Sequence, residues 1–262
     1  MNLTGLGVLA GVHISLLGGL AIAAAGLAAG MINAIVGSGS LITFPTLVAL
    51  GFSPLVANVS NNVGLVLGNV SAVHGYRREL EGQALRMRSL IPWSAAGGLT
   101  GAGALLIRPS SFHAIVPWLV LLAVCMVIVQ PKVAKALAAR GPRAATGGLA
   151  LRIGVFLAGV YGGYFGAAQG VILIALLAIN LDDRLQRLNG LKNVLAAVVN
   201  GLAGVLFMIL APVNYEVSLI IAASSILGGQ LGARVGRRLP APVLRGIIVV
   251  GGLTVAIKLL VG

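Results

Sequence analysis

Acidic residues are scarce in this 262-residue chain: five Asp and Glu stand against 18 Lys and Arg. Charge of either sign is low as well, at 9% of residues, where a soluble domain carries about 25%. None of the five acids, Glu79, Glu81, Asp182, Asp183 and Glu216, falls inside an apolar run. A buried carboxylate relay, the usual equipment of cation pumps and proton-coupled carriers, is therefore excluded. What remains for a buried site is neutral-polar or positive chemistry, which suits an anion and not a metal ion or an organic cation. The single cysteine, Cys125, lies in an apolar run and is expected to pack there. One cysteine excludes a disulfide framework, a thiolate metal site and a two-cysteine relay. His13, His74 and His113 form no ligand spacing, and no nucleophile–base pair or nucleotide loop occurs. No enzyme, cofactor or metal is expected. Lys and Arg are missing from the stretch Met1–Gly30, so the basic start of a cleavable signal is absent and the N-terminus reads as part of the mature fold.

Apolar sequence is what the chain has in abundance. Hydrophobic residues make up 58% and the mean hydropathy is +1.05. With about 20 apolar residues needed per crossing, the length accommodates about eight to ten membrane segments. The expected fold is an all-α polytopic membrane protein, with the lipid bilayer as its main partner. A net charge of +13 would suggest nucleic acid in a soluble chain. Here the basic residues sit in short loops between apolar runs, where they set orientation, and no nucleic acid is expected.

Pro, Gly and charge divide the chain into runs at 14–36, 41–50, 55–74, 90–107, 112–129, 150–167, 170–181, 188–210, 218–233 and 243–261. The runs at 41–50 and 170–181 are too short to span and read as re-entrant or half-membrane helices. If each pairs with the run before it as a hairpin, fifteen of the 18 basic residues lie on one side and two, Arg108 and Lys258, on the other. Lys192 is left within a run. The positive-inside rule then places both termini outside and the basic loop in the cytoplasm.

Sliding the chain on itself until Gly39 meets Gly170 also aligns, without a gap, Leu50 with Leu181, Asn58 with Asn189, Asn62 with Asn193 and Asn69 with Asn200. Asparagine is rare in apolar runs, so this recurrence points to a duplication. Each half then holds one broken-helix hairpin and three transmembrane helices, an odd number of crossings, which makes the two halves inverted-topology repeats. Their expected bounds are 1–129 and 150–262, joined by a basic cytoplasmic linker at 130–149. Inverted repeats are typical of secondary transporters, whose broken helices form a substrate site near the midplane.

Two groups of residues are candidates for that site. On a helix at about 100° per residue, Asn62 and Asn69 fall within about 40° of Asn58. They form a polar stripe beside Ser60 and Asn61, and Asn189, Asn193 and Asn200 repeat it. The stripe reads either as the wall of a polar cavity or as interhelical hydrogen bonding. The second group is the pair of helix breaks, Gly37–Ser40 and Ala168–Gly170. There Ser38, Gly39, Ser40, Gln169 and Gly170 surround helix N-termini whose free N–H groups attract anions. Lys192, one turn after Asn189, is either a substrate-attracting charge or a residue that snorkels to the interface.

The stretch Gly30–Gly51, GMINAIVGSGSLITFPTLVALG, with Ala57 and the Asn-rich helix after it, resembles the TauE/SafE sulfite exporter family. That family is also known as the 4-toluenesulfonate uptake permeases. Gly37, Gly39, Pro45, Gly51 and Ala57 carry the resemblance, while the second half has Leu176 in place of the proline and Asp182 in place of the glycine. The resemblance implies movement of sulfite, sulfonates or related small anions across a bacterial-type inner membrane. An anion channel or facilitator, a carrier of another organic anion, and a membrane assembly protein are the alternatives. A homo-oligomer is compatible with each.

Overall fold

The computed structural model describes residues 14–138, 148–235 and 241–261. The described chain forms ten helices, α1 (Leu16–Ile35), α2 (Ser40–Ala49), α3 (Pro54–Gly75), α4 (Ala84–Ile107), α5 (Pro109–Ala138), α6 (Leu149–Tyr164), α7 (Gln169–Asn180), α8 (Leu185–Leu210), α9 (Tyr215–Val235) and α10 (Ala241–Val261). Each of the ten runs expected from the sequence is one of these helices. α4 starts earlier than expected because its first turn, Ala84–Ser89, is built of good helix formers, arginines included. α5 continues to Ala138, into the stretch expected to be linker. Residues 139–147 of that linker, together with His13, Arg237 and Arg238, lie outside the described residues.

Five helices, α1, α4, α5, α8 and α9, are long and apolar enough to cross a bilayer. The chain is a multi-pass membrane protein. α2 and α7, with 10 and 12 residues, are about 15 and 18 Å long and reach roughly half-way through a hydrocarbon core of about 30 Å.

Backbone signals explain the two breaks. α1 ends where the N–H groups of Val36 and Gly37 both return to the carbonyl of Ile32, with Gly37 left-handed at φ 87°. α6 ends the same way: Phe165 and Gly166 return to Tyr161, and Gly166 has φ 80°. A left-handed residue just past the last turn closes a helix without leaving its carbonyls bare. The second break also holds Ala168 left-handed, at φ 60°, where Tyr161 Oη donates to the neighbouring Ala167 carbonyl at 2.7 Å.

The neighbours of the first five helices are matched in the second five. α1 packs on α9 as α6 packs on α4, α3 on α9 as α8 on α4, and α2 on α10 as α7 on α5, while α3 meets α8 and α5 meets α10. Small residues let the backbones touch. A Cβ added to Gly97 or Gly101 of α4 would land on the carbonyl of Phe156 or Val160 in α6, and one added to Gly228 or Gly232 of α9 would land on that of Leu27 or Met31 in α1. Such close crossings characterise helix pairs in membranes, where packing and hydrogen bonds replace hydrophobic association. Ser94 Oγ donates to the Leu195 carbonyl at 3.0 Å, and its counterpart in the second half, Ser225 Oγ, donates to that of Gly64 at 3.3 Å.

The register is not uniform. Ser94 pairs with Ser225, and Gly97 with Gly228, at the same offset that aligns Asn58 with Asn189. Before the short helices the offset is smaller by two positions: there Ile32 matches Tyr161, and Gly37 matches Gly166. The difference arises because α7 is two residues longer than α2. At the breaks, therefore, Gly39 does not face the same surroundings as Gly170: Gly39 precedes α2, whereas Gly170 is the second residue of α7.

Cys125, expected to pack, is exposed on α5, because it lies on a face that the neighbours of α5 leave uncovered. Of the acids, Asp183 is clamped between Arg86 of α4 and Arg187 of α8, the latter at 3.0 Å. Burial alone would raise its pKa, but hydrogen bonds from both arginines outweigh that and hold it below the usual carboxylate range.

Candidate functional site

The two breaks meet. Gly37 and Gly170 touch backbone to backbone, and the Gly170 N–H donates to the Gly37 carbonyl at 3.0 Å. Around this crossing lies a polar pocket bounded by the end of α1, the starts of α2 and α7, and the middles of α3 and α8. Seven of the thirteen residues selected from the sequence line it: Ser40, Asn69, Gln169, Gly170, Lys192, Asn193 and Asn200. Gly37, Gly166, Ala196 and Asn33 complete the lining. The cavity is small, about 10 Å³, enough for about one water molecule.

The other six candidates stand apart from the lining. Asn58 donates to the Tyr164 carbonyl at 3.0 Å, and Asn61 accepts a hydrogen bond from Thr43. These two make interhelical bonds, the second of the two readings of the stripe. Asn62 reaches the pocket indirectly, donating to Asn200 Oδ1 at 3.4 Å, so the two stripes meet across α3 and α8. The N–H of Gly39 donates to Asn33 Oδ1 at 2.7 Å. Ser38 and Asn189 are buried beside the site.

Lys192 is wholly buried, with 0% exposure. Its Nζ donates to the carbonyls of Asn33 at 3.0 Å and Ala34 at 3.4 Å, and Asn193 Nδ2 donates to the same Ala34 carbonyl at 3.3 Å. The lysine thus caps the C-terminal end of α1, where unpaired carbonyls and the helix dipole favour a cation. It does not snorkel. The ion pairs found among the described residues both involve Asp183 and neither involves Lys192. An ammonium has three donors, two of which the α1 carbonyls take up.

The first-turn amides are less available than the sequence suggests. The N–H groups of Leu41, Ile42, Gly170 and Val171 already have carbonyl acceptors, so the side chains at the breaks must provide most of the donors. They have the capacity. Seven buried side-chain N or O atoms among the described residues lack a partner, and five belong to residues singled out above: three can donate, Ser38 Oγ, Asn69 Nδ2 and Gln169 Nε2, and two, Asn62 Oδ1 and Asn189 Oδ1, are amide oxygens that accept. A buried polar atom left unpaired costs about 1–3 kcal/mol, so this concentration marks a place that a polar ligand would complete.

Across residues 22–259 the chain matches the family model described as Sulfite exporter TauE/SafE. The chain belongs to the TauE/SafE family. Three curated relatives are similar over most of their length. A "Probable membrane transporter protein" of Haemophilus influenzae is 27% identical over 86% of this chain and 88% of its own. "Probable membrane transporter protein ORF9" of a Sinorhizobium species is 28% identical over 88% of each chain. "Probable membrane transporter protein YfcA" of Escherichia coli K12 is 26% identical over 88% of this chain and 86% of its own. No solved structure matches the chain significantly. The TauE/SafE assignment and these relatives make this a protein of a membrane transporter family, and the polar pocket is its candidate site.

Sequence reasoning missed one central residue of this TauE/SafE protein. Asn33 caps Gly39 through Oδ1, donates from Nδ2 to Asn69 Oδ1 at 3.4 Å, and offers its carbonyl to Lys192. It thereby joins the first break to both stripes. The signal was present, since Asn33 is an asparagine within an apolar run, but it does not recur: Gly162 stands at the matching place, with the Gln169 side chain in the space that a side chain there would fill. Asn33→Ala is expected to cut initial transport rates about tenfold, since it strands the Gly39 N–H and the Asn69 amide. Asn33→Asp keeps an acceptor for Gly39 but sets a carboxylate near Lys192, and should weaken anion affinity further than Asn33→Ala does. Wild-type uptake kinetics in both variants would remove Asn33 from the site.

Proposed function

We propose that the protein is a secondary transporter that moves a small sulfur-containing anion, sulfite or an organosulfonate, across the cytoplasmic membrane by alternating access. The observation that carries this reading is the fully buried Lys192, which has no carboxylate beside it among the described residues and lies among unpaired side-chain donors where two broken helices cross. A buried charge is costly until it is paired. An oxyanion supplies the countercharge to a protonated Lys192 and acceptors for the lining donors Asn69 Nδ2 and Gln169 Nε2, with Ser38 Oγ buried beside them. Membership of a family described as sulfite exporters favours a sulfur oxyanion as the cargo.

The pocket as built has no room for such an anion, so loading requires the walls to part. Walls that part toward one side and then toward the other are what alternating access needs, whereas a channel needs a continuous path. The duplicated architecture belongs to this proposal: 1–129 and 150–262 act as inverted repeats joined by the basic stretch at 130–149, and the matched helix neighbours on the two sides of the site support it. The excess of basic residues on one set of loops favours a cytoplasmic linker with both termini outside. The bacterial relatives favour an inner membrane.

Proteoliposomes containing the full chain test the reading with radiolabelled sulfite, sulfate, thiosulfate and small sulfonates. At least one should enter, and vesicles preloaded with the unlabelled compound should accumulate label transiently by counterflow. Entry without counterflow would convert the carrier into a facilitator. No entry of any of these anions would end the sulfur-anion assignment.

A further inference from the structure

A second cavity lies away from the polar pocket, at the N-terminal end of α8. It is an open cleft of about 410 Å³ lined by Arg78, Glu79, Arg184, Leu185, Gln186 and Arg187. Its walls come from two loops far apart in sequence, and Gln83 ties them together, donating from Nε2 to the carbonyls of Glu79 at 2.8 Å and Arg187 at 2.9 Å. Orientation by the positive-inside rule requires basic residues on one side of the membrane, but it does not require them to face a common space. Here three guanidinium groups and one carboxylate line the cleft, a net +2. Asp183 is occupied by Arg86 and Arg187, which leaves Arg78 and Arg184 as the exposed charges of the wall. Along α8, Lys192 follows Arg187 by about 7.5 Å of helix rise, with buried Asn189 between them.

We propose that this cleft is a capture vestibule, in which Arg78 and Arg184 attract a sulfonate- or sulfate-type oxyanion from the side of the basic loops and pass it to the pocket at Lys192. The proposal rests on the transport reading above. Guanidinium groups suit the task because they present planar paired donors to an oxyanion and stay charged at any working pH. Their exposure makes capture weak and fast, as an entrance requires, while a tight site lies deeper. A cleft whose wall carries an excess of positive charge concentrates anions and raises their encounter rate.

The test is charge-selective labelling of the detergent-solubilised full chain. In a Cys125→Ala background, Leu185→Cys places a thiol on the vestibule wall, and it is modified with 2-sulfonatoethyl or 2-trimethylammonioethyl methanethiosulfonate. The anionic reagent should react faster at low ionic strength. Arg78→Gln and Arg184→Gln should each move the rate ratio toward the cationic reagent by about tenfold, since one unit charge about 7 Å away in water changes each rate about threefold in opposite directions. In about 1 M NaCl the differences should collapse. At matched ionic strength, sodium sulfate should protect the thiol better than sodium chloride does. In proteoliposomes, the doubly substituted Arg78→Gln/Arg184→Gln chain should show a KM raised about threefold to tenfold at low salt with its maximal rate retained.

A rate ratio indifferent to both substitutions would overturn the proposal, as would an unchanged KM. Protection by phosphatidylglycerol but not phosphatidylcholine nanodiscs, without protection by sulfate, would assign the cleft to a lipid headgroup and overturn it too. Labelling needs no transport. A wild-type chain that moves no sulfur anion yet labels as expected would therefore sink the transport reading and leave an anion-binding cleft.

Discussion

Lys192→Gln should weaken anion affinity by about 10- to 100-fold, and Lys192→Glu should abolish transport. The first figure is the loss of a charge-assisted hydrogen bond, about 1.5–3 kcal/mol, converted at about 1.4 kcal/mol per tenfold. The second follows because a carboxylate at this place repels the cargo and also faces the Asn33 and Ala34 carbonyls, which accept from Nζ in the wild type. Lys192→Arg keeps the charge, but a planar fork does not fit a fully buried slot shaped for an ammonium. It should transport poorly even though its charge is right. Ionic strength separates this residue from the vestibule arginines: a buried charge in contact with its ligand is hardly screened, so the defect of Lys192→Gln should persist in high salt. Because the lysine also caps α1, thermal unfolding in detergent must be measured alongside uptake. Normal uptake by Lys192→Gln at subsaturating substrate would remove the residue from the site.

Gly101→Val and Gly232→Val should each be severely destabilising, while Gly103→Val should be nearly silent. A Cβ at Gly101 meets the Val160 carbonyl of α6, and one at Gly232 meets the Met31 carbonyl of α1. Backbone carbonyls cannot rotate away as side chains can, so the helices must separate. Overpacking costs about 1–3 kcal/mol in a core with some give, and these contacts have less. Gly103 lies on the same helix, but nothing stands within 4 Å of the place its Cβ would take. Yield of monodisperse protein on size exclusion, with its melting temperature, reads the outcome. Equal behaviour of Gly101→Val and Gly103→Val would mean that α4 and α6 are not held together by their close crossing.

Much of this was legible from patterning. Ten apolar runs became ten helices, because a membrane segment's signal is its own composition and needs no tertiary information. Recurring asparagines pointed to α3 and α8, which meet at Asn62 and Asn200. What a stripe faces is a different matter. Asn58 and Asn62 lie on one face of α3 a turn apart, yet one is spent on Tyr164 and the other joins the site; that division depends on where α6 ends. Asn33 escaped because it has no recurring counterpart in the second half. The two-residue change of register escaped because it falls inside the short helices, between stretches that align without a gap. Lys192 was legible as anomalous but not as a helix cap, since its acceptors, the carbonyls of Asn33 and Ala34, belong to the other half of the chain.

The asparagines that equip α3 also set the order in which the protein is made. α3 has 22 residues, yet it is not among the helices apolar enough to cross a bilayer unaided. Four of its side chains are amides that hydrocarbon penalises, and all four are buried against other parts of the protein. Its main partners are α8 and α9, which a ribosome delivers only after four further helices have been made. During synthesis α3 must wait at the translocon or the lipid boundary, weakly inserted, until the second half arrives to take up its polar face. A nascent chain stopped before α8 should therefore leave α3 accessible from water, and its glycosylation or thiol accessibility should change only once residues beyond α9 have emerged.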